Sequence, residues 1–177
     1  MNSTKIEPKY ISKSNPRVGL IALASDFMIE RDFINVIKDR EIDFFVNRIE
    51  CYNPLTKENL IKMSDKVTSV TKDILPDQDI DCVVYGCTSG TIAAGYNSIK
   101  QKVKAAKPMA EVTTPSTAAI KALKKLNIKK LSLFTPYSKK LNDEVMGYFK
   151  SEGFEITSNS YFDICLLYTS DAADESR

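Results

Sequence analysis

The sequence predicts an α/β fold with parallel sheets, built as two lobes related by a pseudo-twofold repeat, the second lobe incomplete. Three observations carry this expectation. Apolar runs of strand length alternate strictly with segments of helical period, which points to crossover connections. The first run, Arg17 to Ala24, is continuously apolar, as a strand buried on both faces requires. The opening strand–helix–strand pattern also returns later: Val18–Leu23, its helix and Phe44–Ile49 match Leu131–Pro136, its helix and Phe154–Tyr161.

Taken in order, Met1 to about Pro16 is polar, holds two prolines and reads as a flexible arm. After the first strand, Ser25 and Asp26 offer N-cap chemistry to a helix with Ile29, Phe33, Ile34 and Ile37 at helical spacing. Phe44–Ile49 forms the second strand, ending near Cys51. Thr56 then caps one long helix, in which Leu60, Met63, Val67, Val70 and Ile74 follow a 3-4-3-4 step, with Pro76 just past its end. Ile80–Tyr85 is the third strand, and Gly86-Cys-Thr-Ser-Gly-Thr91 turns into a single helix reaching about Ala106. Met109–Thr113 is a short fourth strand, and Ser116 or Thr117 opens a helix through Leu126. Leu131–Thr135, a helix over Ser138–Ser151 and a strand from Phe154 to about Thr157 complete the pattern.

These elements divide the chain into an arm over 1–16, a first lobe over 17–127 containing the cysteine loop, and the start of a second lobe over 128–163. Residues 164–177 read as a non-native tail. The run from Cys165 holds neither a completed helix nor a closing strand, and it resembles translated read-through of a sequencing adapter. Applying the repeat's offset to Cys87 carries its counterpart to about position 200, past the last residue. The apolar helix face Leu141, Val145 and Phe149 is therefore expected to lack its cover.

Composition narrows the chemistry. Lys plus Arg is 25 and Asp plus Glu is 23, a net charge of +2 that gives no field for nucleic acid or for a membrane surface. The basic run Lys121, Lys124, Lys125, Lys129 and Lys130 reads as a solvated face. Histidine is absent, which removes histidine triads and histidine-ligated metal sites. The four cysteines, Cys51, Cys82, Cys87 and Cys165, form no C-x-x-C pair, so no metal site is expected. No secretory leader and no membrane-length apolar run is visible, and reduced thiols in a cytoplasm are the expectation.

Gly86–Thr91 is the loop that could carry chemistry. In open α/β sheets ligands bind at the carboxyl ends of strands, where a helix N-terminus offers free N–H groups to an anion. The same groups stabilise a thiolate, so Cys87 is expected to titrate below the free value of about 8.5 and to be the most reactive thiol. Thr88 and Ser89 add hydroxyl donors. On residues alone, an ordinary capped turn around a small buried cysteine fits equally well. The loop is neither a Walker A nor a nucleophile elbow: no Lys follows the second Gly, and no His exists to activate a serine. Cys82 reads as a small core residue, and Cys51 as core or rim.

Longer segments carry a resemblance. Arg17-Val-Gly-Leu-Ile-Ala-Leu-Ala-Ser-Asp-Phe-Met-Ile-Glu-Arg-Asp-Phe33, Val83-Val-Tyr-Gly-Cys-Thr-Ser-Gly-Thr91, Thr113–Leu123 and Leu131-Ser-Leu-Phe-Thr-Pro-Tyr137 are similar, in this order, to segments of the aspartate/glutamate racemase superfamily. The nearest branch is that of maleate cis–trans isomerase, arylmalonate decarboxylase and the ectoine-utilisation proteins. The resemblance covers roughly residues 17 to 160 and implies two flavodoxin-like lobes with the active site between them. It also implies two cysteines, one per lobe, on opposite sides of a small carboxylate substrate, and no cofactor.

Carried over by position, Cys87 is the catalytic first-lobe cysteine. Thr88, Ser89 and Tyr137 bind the substrate carboxylate or enediolate, and Ser25 and Asp26 occupy the substrate-binding position of the first loop. Asp26 stands where maleate isomerases place Asn, which departs from the pattern for maleate itself. The resemblance also implies Gly at the position of Cys87 in the decarboxylases. Cys87 therefore favours isomerase or racemase chemistry, since inversion needs an acid and a base on opposite faces. A decarboxylase, or a non-catalytic domain that only binds a small anion, is the alternative. A homo-oligomeric full-length form is compatible with the resemblance.

Overall fold

A computed structural model of the chain describes residues 3–8 and 15–163. Half of the expected arm lies outside the described residues. The expected tail, with Cys165, lies wholly outside them. The described elements are β1 (Arg17–Leu23), α1 (Ile29–Ile37), β2 (Asp43–Ile49), α2 (Lys57–Ser64), α3 (Val67–Lys72), β3 (Cys82–Tyr85) and α4 (Thr88–Ala94). They continue as α5 (Tyr96–Ala106), β4 (Glu111–Thr113), α6 (Pro115–Lys125), β5 (Lys130–Thr135), α7 (Lys139–Ser151) and β6 (Glu155–Tyr161).

The expected α/β alternation with parallel sheets is what the chain adopts. Four strands form one parallel sheet in the order β2-β1-β3-β4, and β5 and β6 form a second, parallel pair. In the first sheet the chain moves outward from β1 to β2 and then returns to β3 on the other side of β1. The switch in direction between β1 and β3 is the point at which open α/β sheets bind ligands, beyond the carboxyl ends of the strands.

Both faces of that sheet are covered. Leu20, Ala22 and Val84 face α1, against Ile29, Phe33 and Phe44. Ile21, Val83 and Tyr85 point the other way, into the main core with Leu60, Met63, Val67, Ile99 and Val103. The alternation of Val83, Val84 and Tyr85 between the two faces follows from the pleat. It places Tyr85 on the side of the sheet that α2 and α4 cover.

Two expected helices are broken. The one after Thr56 divides into α2 and α3 at Asp65 and Lys66, yet both residues keep right-handed helical dihedrals, and their N–H groups still bond Lys62 and Met63 carbonyls. The apolar phase therefore survives the break, and Leu60, Met63, Val67 and Ile74 are all buried. The helix after Cys87 divides at Gly95, whose φ of 81° is a conformation that glycine supplies at little cost. Elsewhere, local signals set the boundaries. Thr56 accepts from Asn59 N–H and Ser138 from Leu141 N–H, and Thr114 forms a reciprocal capping box with Thr117 ahead of Pro115.

A separate core holds the second sheet to α6 and α7 through Ile120, Val145, Phe149 and Phe154. This corrects the expectation that the α7 face is uncovered: Leu141, Val145 and Phe149 are only 4%, 2% and 8% exposed. Leu141 reaches the main core, while Val145 and Phe149 pack among α6, β5 and β6. The opposite side of the β5–β6 pair is open, with Phe134 exposed and stacked edge-on against the exposed Phe162. The lysines of α6 and its exit are solvated, with Lys124 paired to Glu152 and Lys130 to Glu155. Among the described residues, no helix is long and apolar enough to cross a membrane.

Candidate active site

The site grows from the end of β3. Gly86 N–H bonds the Ile21 carbonyl at 2.9 Å, which ties the strand's exit to β1. A Cβ at Gly86 would sit 2.7 Å from the Ile29 side chain and 3.1 Å from the Ile21 carbonyl oxygen, so glycine lets the start of α1 close over the loop. Cys87 follows in extended geometry as the N-cap of α4, with its sulfur accepting from Gly90 N–H at 3.2 Å. The Ser89 hydroxyl lies 3.8 Å from the same sulfur, and Thr91 Oγ1 donates to the Cys87 carbonyl at 2.7 Å.

The second sheet supplies the far wall. Tyr137, two residues past β5, lies beside Thr88 and Ser89, whose side chains favour its ionised form, and beside Cys87, whose charge opposes it. Burial and the neighbouring sulfur push its phenol up to about 12, so it is a hydrogen-bond donor throughout the physiological range. The structure thus brings Cys87, Thr88, Ser89 and Tyr137 together, from two different sheets. Ser25 lies beside the Cys51 thiol, easing its ionisation, and the Cys51 charge would act on Cys87.

Asp26 has a structural duty in addition to its place in the first loop. Its Oδ1 accepts from Met28 and Ile29 N–H at 2.9 and 3.0 Å, capping α1 from outside the helix. Arg48 on β2 holds the same loop by its carbonyls, donating to Leu23, Ala24 and Asp26 at 3.0, 3.4 and 2.7 Å. Its second terminal nitrogen pairs with Glu30 of α1.

One expectation is reversed. Cys87 was expected below the free cysteine value, but burial pushes its thiol up to about 11, against an ordinary value near 9. Gly90 N–H and the Ser89 hydroxyl do favour the thiolate, as a helix start should, but desolvation of a fully enclosed sulfur outweighs both. Cys87 is 3% exposed, whereas Cys51 and Cys82 are half-buried and also raised by burial. At neutral pH Cys87 therefore rests as the protonated thiol.

Sequence reasoning passed over Tyr85. It is the bulkiest of the fully buried side chains, and its hydroxyl has no hydrogen-bond partner among the described residues. An aromatic residue ending an apolar strand reads as core. The one signal that could have singled it out is its position two residues before Cys87, on the face of β3 that also carries Val83. Among the described residues, no group of three or more Cys, Asp or Glu side chains is placed to hold a metal ion.

Comparison with known proteins shows the family of the chain. The sequence model of the arylmalonate decarboxylase family matches residues 41–171. A maleate isomerase of Pseudomonas putida is 25% identical over 153 residues, covering 79% of this chain and 60% of that protein. A maleate isomerase of Geobacillus stearothermophilus is 25% identical over 163 residues, covering 84% and 64% respectively. The chain thus spans somewhat under two thirds of the length of these curated relatives.

Among solved structures, the maleate isomerase Iso of Pseudomonas putida S16 with maleate superposes with a TM-score of 0.72 at 25% identity, over 85% of this chain and 64% of that one. Arylmalonate decarboxylase superposes with a TM-score of 0.61 at 19% identity, over 82% and 64%, a likeness of fold. With a family match spanning most of the chain, the chain belongs to the arylmalonate decarboxylase family, in the maleate isomerase/arylmalonate decarboxylase branch of the aspartate/glutamate racemase superfamily.

Proposed function

We propose that this chain carries the first-lobe half of a cofactor-independent, cysteine-based isomerase or racemase acting on a small carboxylate or dicarboxylate. The observation that carries the reading is the convergence on one sulfur, Cys87, of a backbone N–H, the Ser89 hydroxyl and Tyr137 from the second sheet. Tyr137, Thr88 and Ser89 offer neutral donors to a carboxylate, and Ser25 and Asp26 form the rim of the first loop. Neutral donors in a water-poor pocket suit an enediolate, because they stabilise charge as it develops.

Cys87 works in two forms. As the thiol in which it rests, it gives a proton to the substrate carbon it faces, and as the thiolate it removes one. On a cis-alkene dicarboxylate the sulfur can also add to one alkene carbon while a proton joins the other. The former double bond is then a single bond free to rotate. Loss of the same proton and expulsion of the sulfur regenerate the alkene as the trans isomer, with thiol and substrate atoms conserved. In support, the structure of a cysteine-to-serine variant of the Nocardia farcinica maleate cis–trans isomerase holds a covalently bound succinylcysteine intermediate.

Decarboxylation is the second reading, favoured by the family match itself. Cys87 weighs against it, because one-sided reprotonation after loss of carbon dioxide needs only one thiol. The test is to incubate the chain, extended by a homologous C-terminal segment, with maleate, an arylmalonate, aspartate and glutamate. Trans-alkene formation, or deuterium exchange at the α-carbon, that disappears in Cys87→Ser supports the proposal. Carbon dioxide release that survives Cys87→Ser would replace it with the decarboxylase reading.

A further inference from the structure

Tyr85 is a residue that the proposed chemistry does not yet use. Its ring is 0% exposed and its hydroxyl is left without a partner among the described residues. A buried hydroxyl that makes no hydrogen bond is a net cost to a fold, and phenylalanine would fill the same volume without it. The group the hydroxyl does face is the Cys87 sulfur. A Cβ at Gly90 would lie 2.6 Å from the Tyr85 hydroxyl, 2.9 Å from the Cys87 sulfur and 3.1 Å from the Met63 methyl. These three groups converge on one point, which only the missing side chain of Gly90 keeps open.

We propose that Tyr85 is a positioning residue for Cys87, its hydroxyl donating a hydrogen bond to the sulfur once the thiol proton has left. The inference rests on the reading of Cys87 as the reacting thiol. A neutral thiol is a weak acceptor and leaves the phenol unpaired, whereas a thiolate is a strong one. Gly90 N–H and the Ser89 hydroxyl approach the sulfur from α4. Tyr85 approaches from β3, on the core side, where no water need enter. The mutual effects have the required signs: the phenol eases ionisation of Cys87, and Cys87 hinders ionisation of the phenol. The other titratable groups acting on the pair are Cys51, from the segment after β2, and Tyr137, from the loop after β5. Met63, which α2 contributes, does not titrate.

The test is Tyr85→Phe in the 177-residue chain, with alkylation of the Cys87 peptide followed by mass spectrometry across the alkaline range. Cys82, which packs on the opposite face of the sheet, is the internal reference. The expected result is a cooperative melt at the same or a higher temperature. The Cys87 profile should move to higher pH, with about a tenfold slower reaction at any pH below its plateau, while the Cys82 profile stays in place. An unmoved Cys87 profile would overturn the inference. Loss of the cooperative melt would overturn it too, because it would assign the hydroxyl to the fold. Failure of the chain extended by a homologous C-terminal segment to turn over any small carboxylate would sink the isomerase reading instead, and would leave the comparison of profiles intact.

Discussion

Replacing Cys87 with alanine should change how stability depends on pH, and the size of the change can be worked out. The Cys87 thiol is enclosed and is pushed up to about 11, while a cysteine in the unfolded chain ionises near 9. Between those values the folded chain keeps a proton that the unfolded chain releases. The unfolded state then binds fewer protons, so stability falls as pH rises. Below about pH 9 both states hold the proton and Cys87 adds no slope. Above it, each pH step costs about 1.4 kcal/mol until the folded thiol ionises, a total near 2.7 kcal/mol. Urea unfolding followed by far-ultraviolet circular dichroism suits a chain without tryptophan. Between about pH 9 and 11 the unmutated chain should lose about 2 to 3 kcal/mol more than Cys87→Ala. At pH 7 the variant should be offset only by the packing of the lost sulfur, and the other titrating groups cancel between the two proteins. Parallel curves would show that the sulfur is hydrated in the folded state, and the burial argument would fail.

Three further substitutions probe the fold, two of them beside the site and one at the opposite, amino-terminal edge of the sheet. Gly90→Ala forces a methyl group against the Tyr85 hydroxyl and the Cys87 sulfur. Overpacking of about 1 to 3 kcal/mol should exceed the gain of up to about 1 kcal/mol in helix propensity, and an unchanged or raised melting temperature would contradict the geometry. Arg48→Ala releases three loop carbonyls and Glu30. Because Arg48 is well exposed, its cost in stability should stay below about 1 kcal/mol. The expected readout is faster amide exchange of Met28 and Ile29, with no change in the second sheet. Lys107 is buried and donates to the Leu75 and Gln78 carbonyls at 2.7 Å each. Lys107→Met removes the partner of the Gln78 carbonyl and leaves the Leu75 carbonyl only Gln78 N–H, which should lower unfolding stability by about 1 to 3 kcal/mol, whereas a neutral result would mean that water replaces the ammonium.

Much of the architecture is legible without coordinates because its causes are local. The apolar phase Leu60–Met63–Val67–Ile74 is a property of neighbours in sequence, and it holds even where the helix breaks at Asp65 and Lys66. Thr56 and Ser138 cap the helices that follow them because a hydroxyl at that spacing reaches a free N–H. The continuous apolar runs of β1 and β3 announce a sheet covered on both sides, and the cysteine loop at the end of β3 marks the candidate site.

What the tertiary structure alone decided is the electrical state of that site. The donors at the start of α4 are local and favour a thiolate. Burial by β3, α2 and the loop after β5 opposes them, and burial prevails. Desolvation depends on which distant segments enclose an atom, so no reading of residues 86–91 could supply its sign. The same holds for the Tyr85 hydroxyl, which has no partner among the described residues, and for Asp26, whose Oδ1 is held by the backbone at the start of α1. Periodicity and capping belong to neighbours along the chain, whereas charge and proton affinity belong to neighbours in space.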